Sequence, residues 1–175
     1  MEKSIQNRFL TVFAAISEAV ALITLSIGGC VLLGWVLNIP AMKSVLPGFV
    51  TMKANTALCF VLLGFSLWLL QTKRANKLMI AVAKACVSIV ILVAGLTLAE
   101  YMFGLDFSID QLLFKEGMNA VLTTHPGRMA INTTVELIIL AAALFVLNIK
   151  SRRGYCPAQY LAFLSWVISI GALIG

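Results

Sequence analysis

Hydrophobic residues in this chain gather into five long stretches, and about three quarters of the charged residues fall outside them. The first stretch covers about 9–37 (FLTVFAAISEAVALITLSIGGCVLLGWVL) and the second about 52–71 (MKANTALCFVLLGFSLWLLQ). The third covers about 78–103, the fourth about 131–149 and the fifth 157–175. A hydrocarbon core of ~30 Å needs about 20 helical residues. A backbone in lipid must also satisfy its hydrogen bonds within its own segment. The pattern therefore predicts an all-α, polytopic membrane helix bundle with five spans.

Composition agrees. The chain is 61% hydrophobic and 11% charged, with a mean hydropathy of +1.02, whereas a soluble domain carries about a quarter charged residues. Cys30, Cys59, Cys86 and Cys156 have no metal-ligand or redox spacing, and three of them lie inside apolar stretches. They read as small buried hydrophobes rather than a disulfide framework. The first stretch is too long for the core of a cleavable signal peptide and lacks a small-residue cleavage site.

The net charge of +6 is distributed as a topology signal rather than as a nucleic-acid footprint. Lys3 and Arg8, then Lys73, Arg74 and Lys77, then Lys150, Arg152 and Arg153 all fall on one side of the five-span arrangement. By the positive-inside rule that side is cytoplasmic. The other side has Lys43 and Lys53 in its first loop. Its second holds Glu100, Asp106, Asp110 and Glu116 against Lys115 and Arg128. The expected location is a bacterial inner membrane, with the N-terminus inside and both longer loops outside. The fifth stretch then runs out at Gly175 near the outer face. This predicts a single membrane domain over 1–175, with a sixth span and a cytoplasmic domain beyond it.

The outer loops repeat themselves. A shift of 77 residues lays Met52, Asn55 and Thr56 on Met129, Asn132 and Thr133, and Pro47-Gly48 corresponds to Pro126-Gly127 with a small gap. Upstream, LLGWVLNIP resembles LAEYMFGLD, which sets Trp35 opposite Tyr101. Each unit reads as an outgoing helix, an interfacial aromatic, an outer loop, Pro-Gly, Met-x-x-Asn-Thr and a return helix. Internal repeats are a common way to build membrane proteins, and three such hairpins would make six helices. Each loop is also expected to hold a short interfacial helix. In the first, a proline opens the turn, Ile39, Met42 and Val45 or Leu46 share a face, and Pro47-Gly48 closes it. In the second, Ser108 and Gln111 form a capping-box pattern ahead of Leu112 and Leu113, which share a face with Ile109.

Candidate chemistry is sparse. Asn55 and Asn132 open the return helices, either as N-caps or as a polar layer that bonds across helices or to a ligand. Trp35, Tyr101, Glu100 and Glu136 join them as candidates for ligand binding or sensing. Glu136 stands where the first unit has Cys59, one turn below Asn132. Glu18 and Lys84 lie at similar depth inside their spans. There a charge requires a partner or water, so they either pair or Lys84 snorkels to the headgroups. His125, the one histidine, precedes Pro126-Gly127 in the acidic loop; it reads more readily as a surface residue than as a metal ligand. No catalytic constellation is legible.

At GWVLNIPAMKSVLPGFVTMKANTALCFVLLGFSLWLL and LAEYMFGLDFSIDQLLF…HPGRMAINT the chain resembles a bacterial family. That family is the N-terminal multi-helix membrane sensor region found ahead of PAS modules, histidine kinases and diguanylate cyclases. The resemblance runs from about residue 20 to 175. INTTVEL departs from the family pattern by placing Glu136 where an apolar or small residue is usual. The resemblance implies a sensory input domain, most often of a two-component histidine kinase, that signals to a cytoplasmic output domain and works as a homodimer. A small transporter or channel and a membrane anchor or scaffold are the competing readings.

Overall fold

The structure is a computed structural model that describes residues 2–44, 51–71, 75–116, 125–149 and 156–174. All regular elements among the described residues are helical. They are α1 (Glu2–Val36), α2 (Pro40–Lys43), α3 (Ala54–Gln71), α4 (Lys77–Phe103), a single 3-10 turn (Ile109–Gln111), α5 (Ile131–Phe145) and α6 (Pro157–Ile174). Three helices are long and apolar enough to cross a membrane: Thr11–Val36, Ala54–Gln71 and Lys77–Phe103. At 1.5 Å per residue these measure about 39, 27 and 40 Å. The chain therefore has the make-up of a membrane protein. Helices α5 and α6 are shorter apolar segments.

Local signals explain several of the ends. Asn76 caps α4, its side chain accepting from the Met79 amide at 2.8 Å. Gly104, in the left-handed region at φ 65°, stops α4. Helix α5 ends at Phe145, earlier than its apolar run, and the chain turns through Val146 and Leu147 instead. Two expectations about caps are corrected. Asn55 and Asn132 are each the second residue of a helix, and the α5 cap position is Ala130 with no side-chain bond. Ser108 adopts φ 57° and makes no capping bond. The helix expected there shrinks to one 3-10 turn, and Leu112 is 78% exposed. In the first loop the short helix exists as α2, while Pro47-Gly48 and Val45 and Leu46 lie outside the described residues. Lys73, Arg74, Lys150, Arg152 and Arg153 also lie outside them.

Packing follows the small residues. Helix α1 lies antiparallel on α3. Gly28 faces Ala57 and Val61, while Gly64 faces Ala21 and Leu25, so numbering falls on one helix as it rises on the other. A Cβ at Gly28 would stand 2.6 Å from the Ala57 carbonyl oxygen, and one at Gly64 would stand 2.8 Å from the Leu25 amide nitrogen. The two backbones touch, as small-residue interfaces allow. Helix α4 packs on both α3 and α5, and α6 packs on α5. The core lies among α3, α4 and α5, where Cys59, Leu63, Val87, Val90, Ala94, Met129, Leu137 and Ala141 are buried together. The Ser66 hydroxyl crosses from α3 to the Ala83 carbonyl of α4 at 3.2 Å. On the outside, α1 shows Phe13, Ile16 and Ile23, and α6 shows Phe163, Trp166 and Val167. Exposed apolar surface on this scale marks a membrane or partner face.

Candidate functional site

The buried charges among the described residues converge at one end of the bundle, where α1 meets α2, where α4 ends and where α3 and α5 begin. Segment 104–116 lies there as a lid. Its path is set from the first residues after α4. The Phe107 amide donates to Glu100 Oε1 at 2.8 Å, which turns the chain back over its own helix, and the Ser108 amide donates to Asp106 Oδ1 at 2.7 Å.

Both hairpins grip the lid. On the α5 side, Arg128 Nε donates to Asp110 Oδ2 at 2.6 Å, and its Nη2 sits 3.5 Å from Glu100 Oε2. On the α3 side, Lys53 Nζ meets both Glu116 oxygens at 2.7 Å, and the Thr51 hydroxyl donates to Glu116 Oε1 at 3.0 Å. The Gly127 amide adds a bond to Glu116 Oε2 at 2.5 Å. Asn55 Nδ2 donates to the Ile109 carbonyl at 2.9 Å, and the Phe114 ring lies 5.7 Å from Trp35. Gly127 is required as glycine: its φ is 79°, and a Cβ would strike the Asp110 carbonyl.

These charges are buried. The Lys53 and Glu116 side chains are 6% and 7% exposed, and Glu100 is 1% exposed. Burial alone would push the Glu116 carboxyl up, but the Lys53 bond, the Gly127 amide and the Lys53 charge outweigh it and hold it below the ordinary carboxylate value. Burial likewise opposes the Arg128 charge, and the Asp110 bond with the charges of Asp110 and Glu100 overcomes it, raising the guanidinium. One imbalance stands out. Two buried carboxylates, Glu100 and Asp110, share one guanidinium, and Glu100 Oε2 and Asp110 Oδ1 accept no hydrogen bond among the described residues.

The two units make the same contact beneath the lid. Trp35 Nε1 donates to the Met52 carbonyl at 3.0 Å, and the Tyr101 hydroxyl donates to the Met129 carbonyl at 2.9 Å. Each aromatic also carries a cation, Lys43 at 4.4 Å over Trp35 and Arg128 at 5.2 Å over Tyr101. Between α1, α2 and the starts of α3 and α5 opens a cavity of about 890 Å³.

The candidates from sequence separate into two groups. Trp35, Tyr101, Glu100 and Asn55 come together at the lid, whereas Asn132 lies exposed on the cavity wall and makes no side-chain bond among the described residues. Glu136 lies elsewhere: its carboxylate accepts from the Ser165 hydroxyl and, at 2.9 Å, from Ser169, both one turn apart on α6. Among the described residues no ion pair joins Glu18 to Lys84. Both are exposed, and the Lys84 ammonium lies 5.5 Å from the Phe145 ring on α5. His125 is exposed, edge-on to Tyr101 at 6.5 Å. No cluster of three or more His, Cys, Asp or Glu among the described residues is placed to hold a metal ion.

Lys53, Asp110, Glu116 and Arg128, which do most of the gripping, were legible only as loop charges. A sharper signal was present: Lys53 and Arg128 sit directly beside the two repeated methionines, in a chain with few charges. No family model, curated protein or solved structure matches the chain.

Proposed function

We propose that this chain is the membrane-embedded input domain of a bacterial signalling protein, most consistent with a sensor histidine kinase. In this reading five helices span the inner membrane, the N-terminus is cytoplasmic, and the lid faces outward. The observation that carries the reading is the lid itself. A segment at one end of the bundle is tied by buried, titratable groups to the first residues of two helices, α3 and α5, that run to the other end. Release or displacement of such a segment changes what holds those helices in place, which is how small shifts of packed helices carry signals. The matched Trp35–Met52 and Tyr101–Met129 bonds support a bundle built from repeated hairpins. The output domain, and dimerisation through it, belong to the same proposal and rest on the family resemblance.

Two measurements test it. Compartment reporters fused after residues 75 and 106 are expected to report opposite sides of the membrane, inside and outside respectively; a shared compartment would overturn the topology. Spin labels at Ala75 and Cys156, with the other cysteines replaced, read the far ends of the helices. Opening the lid by Glu116→Gln is expected to move the distance distribution between them, helix shifts of this kind being about 1–2 Å. An inert anchor would leave that distribution unchanged.

A further inference from the structure

We infer that the cavity between α1 and α5 is a binding site for an anionic amphiphile, a carboxylate or phosphate head carrying an acyl chain. The inference deepens the sensory reading by naming a ligand class, and it rests on that reading only for the meaning of the binding.

The cavity's size, about 890 Å³, falls within the ~300–1,000 Å³ typical of ligand sites. Its walls divide by chemistry. Ile27, Cys30 and Val31 form one face of α1, at the spacing that places residues on a single helical side, and Ile131 opposes them from α5. Ile27 and Ile131 are each about half exposed. Helices α1 and α5 both pack against α3, and the cavity occupies the space between them. In a bilayer that space opens sideways towards the acyl chains.

The lid end of the cavity is cationic. Lys43, Lys53, Arg128 and His125 line it, and no carboxylate among the described residues does. Lys53 and Arg128 are held by the lid's acids, but Lys43 is not. Its ammonium bonds the Asn38 amide oxygen at 2.8 Å and lies over Trp35, and no carboxylate pairs with it among the described residues. Asn132 and Thr133 add polar groups on the α5 side. A ligand that lays its tail along Ile27, Val31 and Ile131 brings its head to Lys43 and His125. A neutral tail gains nothing from those groups, and a bare anion gains nothing from the apolar wall. The same head would sit beneath the lid, next to Arg128, where its charge competes with Asp110 and Glu100 for the guanidinium.

The test uses a chain whose one tryptophan is Trp35 (Trp68→Phe with Trp166→Phe), purified in an uncharged detergent. Brominated stearate serves as the anionic amphiphile. A brominated monoacylglycerol supplies the same tail without charge, and inorganic phosphate serves as the head-only competitor. The expected result is saturable quenching of Trp35 by stearate, about tenfold weaker for the uncharged tail, and undisturbed by phosphate. A tenfold loss is what one missing charge-assisted hydrogen bond gives. Lys43→Gln combined with His125→Ala is expected to cause the same loss for stearate alone. Thr133→Glu, on the polar part of the α5 wall where the head would sit, must weaken stearate while sparing the neutral analogue, which keeps the test informative if the loop variant disturbs folding. Equal or non-saturating quenching by both tails overturns the site. Displacement by phosphate overturns the amphiphile and leaves a solute anion site. Neither failure touches the spin-label experiment, so a loss of this site is distinguishable from a loss of the sensory reading.

Discussion

An Arg128→Met chain is expected to lose about 3–5 kcal/mol of stability, the cost of removing one partner from a buried ionic group. The substitution leaves Glu100 and Asp110 facing each other with no cation between them, in a largely dry place. The Glu100 side chain is fully buried, and one oxygen of each carboxylate already accepts no hydrogen bond among the described residues. Methionine fills much of the space, so the loss comes from charge rather than from a hole. Denaturant unfolding in detergent gives the magnitude. Limited proteolysis within 104–116 should accelerate, because that segment loses its hold on α5. Adding Asp110→Asn to the same chain should recover part of the loss, since one repelling charge is then gone. If Arg128→Met unfolds like the parent to within about 1 kcal/mol, the ionic group contributes nothing to the lid.

The second large effect is at Glu116. Glu116→Gln takes from the buried Lys53 ammonium the carboxylate it meets at 2.7 Å and is expected to cost about 3–5 kcal/mol, with the Thr51 and Gly127 bonds weakened as well. It also predicts a pH dependence. The Glu116 carboxyl is held below its ordinary value in the folded chain, so its contribution is fully present above the unfolded value of about 4.3. That contribution fades as pH falls through the lowered folded value. The parent chain should therefore lose stability, and open its lid, as acid is added below about pH 4.3. The Glu116→Gln chain, already weakened, should show a flatter acid limb. Parallel limbs for the two chains would show that Glu116 is not the group that titrates.

The helices were legible in the sequence because their cause is local. An apolar run has to be helical in lipid wherever it occurs, and Asn76 starts α4 through its side-chain oxygen while Gly104 stops it through its left-handed backbone. The aromatic-to-methionine bonds were half legible: the repeat placed Trp35 beside Tyr101 and Met52 beside Met129, but not the bond between them. What was hidden is pairing at a distance. Lys53 and Glu116 are 63 residues apart, and Asn55 bonds a carbonyl 54 residues away. A residue read alone offers several local roles at once, so Asn55 read as either a cap or a cross-helix bond, and the partner it takes, the Ile109 carbonyl of the lid, was not visible. Ser108 and Gln111 matched a capping pattern, but the tug of Glu100 on the Phe107 amide sends the chain in another direction. Glu18 and Lys84 shared a depth but not a helix contact, since α3 lies against both of their helices.

Gly28 on α1, set against Ala57 and Val61, and Gly64 on α3, set against Ala21 and Leu25, constrain how this molecule can deform. Neither helix can roll or slip on the other without driving main chain into main chain, so the pair is a stiff plank. Glu136, gripped by two α6 serines, splints α5 to its neighbour in a similar way. Bending is left to the seams between these two planks, where α4 meets each of them and α3 meets α5, and a mechanical pull on the roof of the bundle would be relieved there.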